Sequence, residues 1–271
     1  MANGVVESRN MRLLAHNDLA GYGSCGEGLA LHIGKDGRRT LFIAQLFAPG
    51  DFTGVDVTDP RNPKVIVQTT LPHKDMRSNS LSVVGDTLAV CRQANKLGVK
   101  PAGLEMFDIS NPAQPRSIGF YDVSNPNCYG THFVWYVDGE YAYLSSATKD
   151  FDPISPRESW MMLILDVKDP TNMREVGRWW LPGTSKRDGI PPPQSHADKI
   201  ADMLGIQIPP QNERPHRYKV GDWNCFDVGS RVHDVYVYPS HPDRLYLSYL
   251  DAGFMILAIA DKAHPKLVSQ V

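Results

Sequence analysis

The chain has 271 residues and a formal net charge of −2, from 28 Lys+Arg and 30 Asp+Glu. Near-neutrality argues against a nucleic-acid or anionic-membrane binder, and no run approaches the ~18 apolar residues of a membrane span. The N-terminus, MANGVVESRNMRLLAHNDLAG, lacks the basic-then-apolar pattern of a secretory signal. The expectation is a cytoplasmic protein in which Cys25, Cys91, Cys128 and Cys225 are reduced, mostly buried thiols.

Residues 1–26 read as an N-terminal segment and 27–271 as a run of β-hairpins. Ala30 to Gln45 forms the first, turning at Lys35-Asp36-Gly37, and leads into GVDVTDPRNPKVIVQ from Gly54. Leu81 to Val90 turns at Gly85-Asp86 and leads into EMFDISNPAQPRSIGF from Glu105. Thr131 to Ser146 alternates aromatic and β-branched residues around Asp138-Gly139, a type I′ turn signal, and leads into LILDVKDPTNMREVGRW from Leu163. His233 to Ser248, with Pro239 to Asp243 as a longer turn, leads into MILAIADKAHPKLVSQV from Met255. Each unit is therefore strand, turn, strand, loop, strand, Asp-Pro turn, strand.

The repeated Asp falls at Asp56, Asp108 and Asp166, with Ala258 in the fourth copy, in steps of 52, 58 and 92 residues. The first two steps suit four-stranded propeller blades. The third carries an insertion over residues 183–230, with Pro-rich ends around a short helix from Ser195 to Leu204 in which Ser195 is the N-cap. Ile190, Met203, Leu204, Ile206, Ile208, Tyr218, Trp223 and Phe226 argue for an ordered, lid-like insertion.

The repeat resembles the LVIVD-repeat family, whose units read roughly apolar-apolar-apolar-Asp-apolar-Ser-Asp-Pro-x-x-Pro. Copies one to three match it, and copy four lacks the Asp and the first Pro. The resemblance implies a β-propeller with more blades than the four visible here. The fold expectation is thus all-β, four antiparallel blades, completed by further blades from a second polypeptide that is either a separate subunit or a product of precursor processing. A self-contained four-bladed propeller is the alternative.

Aligning the hairpins by their turns puts Gly28, Asn79, His132 and His233 at one ring position on the innermost strands. Two imidazoles then converge on the axis although 101 residues separate them. Imidazole is the commonest metal ligand and general base, so His132 and His233, with Asp234 beside the latter, are the catalytic candidates. Asn79 and Glu27 are candidate cofactor-binding groups, and His16 and His73, placed near the same mouth, join His132 and His233 as candidate metal ligands. His32, His196, His241 and His264 are assigned no role, and Cys25 is read as inert.

The functional expectation is an enzyme acting on a small organic molecule at this site, with a bound Fe, Cu, Mn or Zn ion. Oxidoreduction is preferred, with hydrolysis or elimination second, the latter also open to His acid–base chemistry without metal. The alternative is a non-catalytic binding or scaffold module, since a propeller is only a scaffold for sites.

Overall fold

The computed structural model describes residues 9–22, 24–214, 217–226 and 229–271. Residues 1–8 and Gly23 of the N-terminal segment lie outside them, as do residues 215–216 and 227–228 of the insertion and the side chains of Tyr218 and Phe226. The described chain is β-structure apart from one nine-residue α-helix, α1 (His196–Leu204), and short 3-10 turns. None of its helices is long and apolar enough to cross a membrane.

Four antiparallel sheets follow one another along the chain. The first contains β1 (Cys25–Ile33), β2 (Arg39–Gln45), β3 (Gly50–Asp56) and β4 (Lys64–Thr70). In the second, β5 (Met76–Arg77) and β6 (Leu81–Val84) both pair with β7 (Thr87–Ala94), which is followed by β8 (Gly103–Asp108) and β9 (Arg116–Asp122). The third is β10 (Thr131–Tyr136), β11 (Tyr141–Ser146), β12 (Met161–Asp166) and β13 (Arg174–Trp179). The insertion contributes a separate hairpin, β14 (Arg217–Val220) and β15 (Trp223–Phe226). The last sheet is β16 (Arg231–Tyr238), β17 (His241–Leu250), β18 (Gly253–Ala258) and β19 (Lys266–Gln270).

The inner strands touch in sequence, β1 against β6, β6 against β10 and β10 against β16, so the sheets fan out from one axis as propeller blades. Apolar side chains fill the wedges between them. Phe42, Phe52, Leu88 and Phe107 join blades 1 and 2. Cys91, Leu104, Val134 and Leu144 join blades 2 and 3. Ile164, Val235, Leu247 and Met255 join blades 3 and 4. Among the described residues no buried cluster joins blade 4 to blade 1.

Strand alternation explains what the outer blades leave uncovered. Ala30 and His32 face blade 2, so Leu29, Leu31 and Ile33 point the other way and are exposed. On β16, Val235 and Val237 face blade 3, while Tyr236 and Tyr238 join Tyr246 and Phe254 in an aromatic row on the opposite face of that blade.

The repeat is a turn device. Asp56, Asp108 and Asp166 accept the amides of Thr58, Ser110 and Lys168 through Oδ1 at 2.9, 2.9 and 3.2 Å. Three residues on, Asp59, Asn111, Asp169 and Asp261 repeat the bond to Arg61, Ala113, Thr171 and Ala263 at 3.0 to 3.3 Å. Copy four thus keeps the second cap after losing the first, which is why Ala258 is tolerated. These turns clasp the preceding blade: a Cβ on Gly119 would lie 1.8 Å from Pro170 O, and one on Gly177 would lie 2.0 Å from Lys262 O.

Three local expectations are corrected. The Asp138-Gly139 turn is not type I′, which needs positive φ at both central residues; only Gly139 has it, at 79°, and Asp138 Oδ1 instead accepts the Glu140 and Tyr141 amides at 2.8 Å. The last hairpin turns tightly, because Tyr238 pairs with His241, and Pro242 and Asp243 lie within β17. His32, assigned no role from sequence, links blades 1 and 2: it is 1% exposed and its Nε2 lies 2.9 Å from Asp86 Oδ1.

The insertion is folded onto blade 3. Helix α1 starts with a capping box of Ser195 and Asp198 and ends at Gly205 in the left-handed conformation. Ala197, Ile200, Val220 and Cys225 form its small core. Buried Glu158, in the loop before β12, accepts from Gln211 Nε2 at 2.8 Å and ties the two parts together.

Candidate metal and acid-base site

At the ring position each inner strand carries an irregularity. Thr131 pairs with Ser146 and Phe133 with Ser145, which leaves His132 as the extra residue. Val232 pairs with Tyr249 and Asp234 with Ser248, which leaves His233 in the same place. In blade 2 the register slips by one between Arg77 and Leu81, around Asn79, and in blade 1 it slips by two between Cys25 and Leu29, around Gly26-Glu27-Gly28. A bulge takes its residue out of the ladder and re-aims the side chain, here toward the axis.

The result is one cluster. Ligand atoms of Glu27, His132 and His233 all lie within 4.8 Å of one another. Blade 1 supplies Glu27 because Gly28 can carry no side chain: a Cβ there would lie 2.5 Å from Leu81 N. Asn79 is fully buried beside the cluster, its Nδ2 3.5 Å from His132 Nδ1 and its main-chain oxygen accepting the amides of Glu27 and Gly28.

His132 is 3% exposed, stacks on Trp160 at 4.3 Å and meets the His233 ring edge-on at 4.5 Å. Burial, with His233, Arg77 and Arg231 adding repulsion, lowers its pKa to about 2, so it is neutral at ordinary pH. Its Nδ1 donates to Gln93 Oε1 at 2.8 Å, which puts the lone pair on Nε2. That Nε2 is buried without a hydrogen-bond partner, 3.7 Å from Glu27 Oε2. With the ring neutral this approach is not an ion pair but two electron-rich atoms facing one gap.

His233 differs. Its Nδ1 lies 3.1 Å from Asp234 Oδ1, and that hydrogen bond, opposed by partial burial, raises its pKa. The bond leaves Nε2 as the free nitrogen of this ring as well. A carboxylate behind an imidazole is the usual second layer of a metal-bound His. Two imidazole nitrogens and one carboxylate, with one lone pair buried and unsatisfied, fit a transition metal with open positions. The space beside the cluster along the inner strands measures ≈ 520 Å³ and is lined by Glu27, Ser82, Phe133, Trp135 and Tyr236.

His16 and His73 are not in the cluster. His73 Nδ1 instead accepts the Asp75 amide at 3.0 Å in the loop before β5. Cys25 is exposed at the start of β1; Cys91 and Cys128 are buried, which pushes the Cys128 thiol up to about 12 and that of Cys91 upward too. Gln93 and Trp160, which hold the His132 ring, carry no mark in the sequence. Gln93 is on β7, opposite Arg77, and Trp160 directly precedes β12.

Comparison with known proteins agrees on the repeat. Residues 97–123, which include β8 and β9, match the family model described as the LVIVD repeat. A search of curated proteins returned no match. Similar solved structures include a hypothetical selenium-binding protein from Sulfolobus tokodaii, at 12% identity and TM-score 0.41, with 90% of this chain and 64% of that chain covered. A beta-fructofuranosidase from Bombyx mori aligns at 11% identity and TM-score 0.45, over 90% and 48% of the two chains. An alpha-L-arabinofuranosidase from Clostridium thermocellum aligns at 10% identity and TM-score 0.43, over 90% and 72%. The chain thus spans less than two thirds of the first two. Similarity at this level carries no argument about chemistry.

Proposed function

We propose that this protein is a propeller enzyme acting on a small organic molecule, with a transition metal held by Glu27, His132 and His233. The observation that supports this is the buried, unpartnered Nε2 of His132 facing Glu27 and His233. When bound, such a metal supplies Lewis acidity or redox capacity, and a site of two imidazoles and one carboxylate suits Fe(II) oxidoreduction first and Zn(II) hydrolysis second. Gln93 and Asp234 orient the two rings, and Trp160 seals the face of His132 from water. Elemental analysis of the purified protein tests the reading. Stoichiometric metal, lost in His132→Ala and in His233→Ala, supports it; absence of metal after growth with Fe, Mn, Cu and Zn removes it.

A second reading needs no metal. The two rings are in contact and their pKa values shift in opposite directions, up for His233 and down for His132, which leaves His233 as the candidate proton carrier beside a neutral imidazole. His233 would then carry the proton and His132 the lone pair.

We further propose that more blades of the same kind complete the ring, brought by a second polypeptide. The support is the apolar flank of Leu29, Leu31 and Ile33 on blade 1 and the aromatic row ending in exposed Tyr238 and Phe254 on blade 4.

A further inference from the structure

Two residues before the ring position, the same alignment gives Gly26, Arg77, Gly130 and Arg231. The two glycines have no room for a side chain, since a Cβ would lie 2.9 Å from Asn79 O at Gly26 and 2.7 Å from Arg92 O at Gly130. This layer therefore presents two guanidinium groups and nothing else. They line a cavity of ≈ 340 Å³ together with Arg157, Trp160, Tyr129 and Gln93. Among the described residues no carboxylate lines it. Its walls are shared with the His cluster: Gln93 accepts from His132, and Trp160 stacks on the same ring.

Cationic groups withdrawn from water are normally paired, and Arg77 and Arg231 are both half-buried. Here the Nε atoms of Arg77 and Arg231 are buried with no hydrogen-bond partner. Arg231 donates through Nη1 to Arg157 O at 3.0 Å, and its guanidinium lies over Trp160 at 4.6 Å. Glu27 acts on Arg77, and Glu158, Tyr129 and Asp251 on Arg231, through space. An anion is the missing partner, and the planar fork of Arg fits a carboxylate bidentately. Trp160, Tyr129 and Pro156 add apolar surface, which suits an organic acid rather than a bare inorganic ion.

We propose that this cavity binds the carboxylate of a small organic acid, held by Arg77 and Arg231, and that this acid is the substrate class of the adjoining centre; the second half of the statement rests on the reading of that centre as an active site. Arg157 gives the cavity a link to the insertion, because its guanidinium donates to the main-chain oxygens of Gln211 and Arg214. The insertion thereby holds one wall of the site.

The test uses protein stripped of metal by a chelator, with binding of benzoate, benzamide, sulfate and inorganic phosphate followed by calorimetry. Benzoate is expected to bind and its neutral amide is not. Arg77→Met and Arg231→Met should each weaken benzoate binding by about 30-fold or more. Arg231→Lys, which keeps the charge, should weaken it less, and it serves where the Met variant fails to fold by circular dichroism. Equal binding of benzamide, unchanged affinity in both Met variants, or no binding of any probe overturns the proposal. Binding of sulfate or phosphate but not benzoate overturns the organic-acid assignment. Benzoate binding by a protein that never acquires metal upholds the carboxylate site and refutes the metal centre. Stoichiometric metal without benzoate binding refutes this inference alone.

Discussion

His132 donates from Nδ1 to Gln93 Oε1 at 2.8 Å, and this bond decides which ring nitrogen faces the axis. Gln93 comes from the neighbouring blade, so the tautomer of the candidate ligand is set by blade packing rather than by its own strand.

Replacing Gln93 by Leu removes that acceptor and frees the ring to turn. Metal affinity, measured by competition with a chromophoric chelator, should fall by about 10- to 100-fold, as for other residues that orient a ligand. His132→Ala should abolish binding while far-UV circular dichroism stays β-type. Unchanged affinity in the Gln93 variant would show that the ring is held by its stacking on Trp160 alone.

The pKa of His132 gives the metal-free protein a defined pH response. Its folded-state pKa is about 2 against an ordinary 6.5, so on acidification the unfolded chain takes up this proton first. Stability should fall as pH drops from 6.5 toward 2, with a limiting slope of about 1.4 kcal/mol per pH unit from this group. His233 works in the opposite sense: its raised pKa adds stability that is fully present below the ordinary value and lost as pH rises through the folded one. Urea midpoints at pH 7 and pH 5 should therefore differ less in His132→Asn than in the parent. An identical difference contradicts the assignment.

Arg92 is 2% exposed and joins Asp51 of β3 to Glu105 of β8, with Nη2 donating to Asp51 Oδ2 at 3.0 Å and Nε to Glu105 Oε2 at 2.8 Å. Arg92→Ala leaves Asp51 buried without its cation and should cost about 3–5 kcal/mol in a denaturant titration. Arg92→Ala with Asp51→Asn should recover part of that loss. An Arg92→Ala cost near zero would mean that water enters between blades 1 and 2.

Association through the exposed flanks predicts that the 30.2 kDa chain on its own aggregates or sediments as a complex. Leu29→Glu with Leu31→Glu should abolish association with any partner bearing further blades, because each places a charge on an apolar docking face. Pure, active monomer in sedimentation velocity would refute the need for further blades.

The repeat spacing, the hairpin patterns and the helix capped by Ser195 were legible from sequence because each rests on local physics: alternation, turn chemistry and caps. The ring arithmetic was legible too, since equivalent strands of successive blades share an axis. It brought His132, His233, Asn79 and the neighbourhood of Glu27 together. It did not show that bulges turn those side chains inward, because bulging appears only when two strands are paired. Applied two residues upstream, the same arithmetic would have found Arg77 and Arg231. Nothing local marks Gln93 or Trp160, whose roles depend on contacts across blades. Sequence by itself thus determined the blades and the candidate ring. Tertiary structure decided the tautomer of His132, the place of Glu27 rather than Gly28 as the first-blade member of the cluster, the absence of His16 and His73 from it, and the pairing of an imidazole site with an arginine-lined cavity. Those depend on distances between side chains brought together by blade packing, which no spacing along the chain encodes.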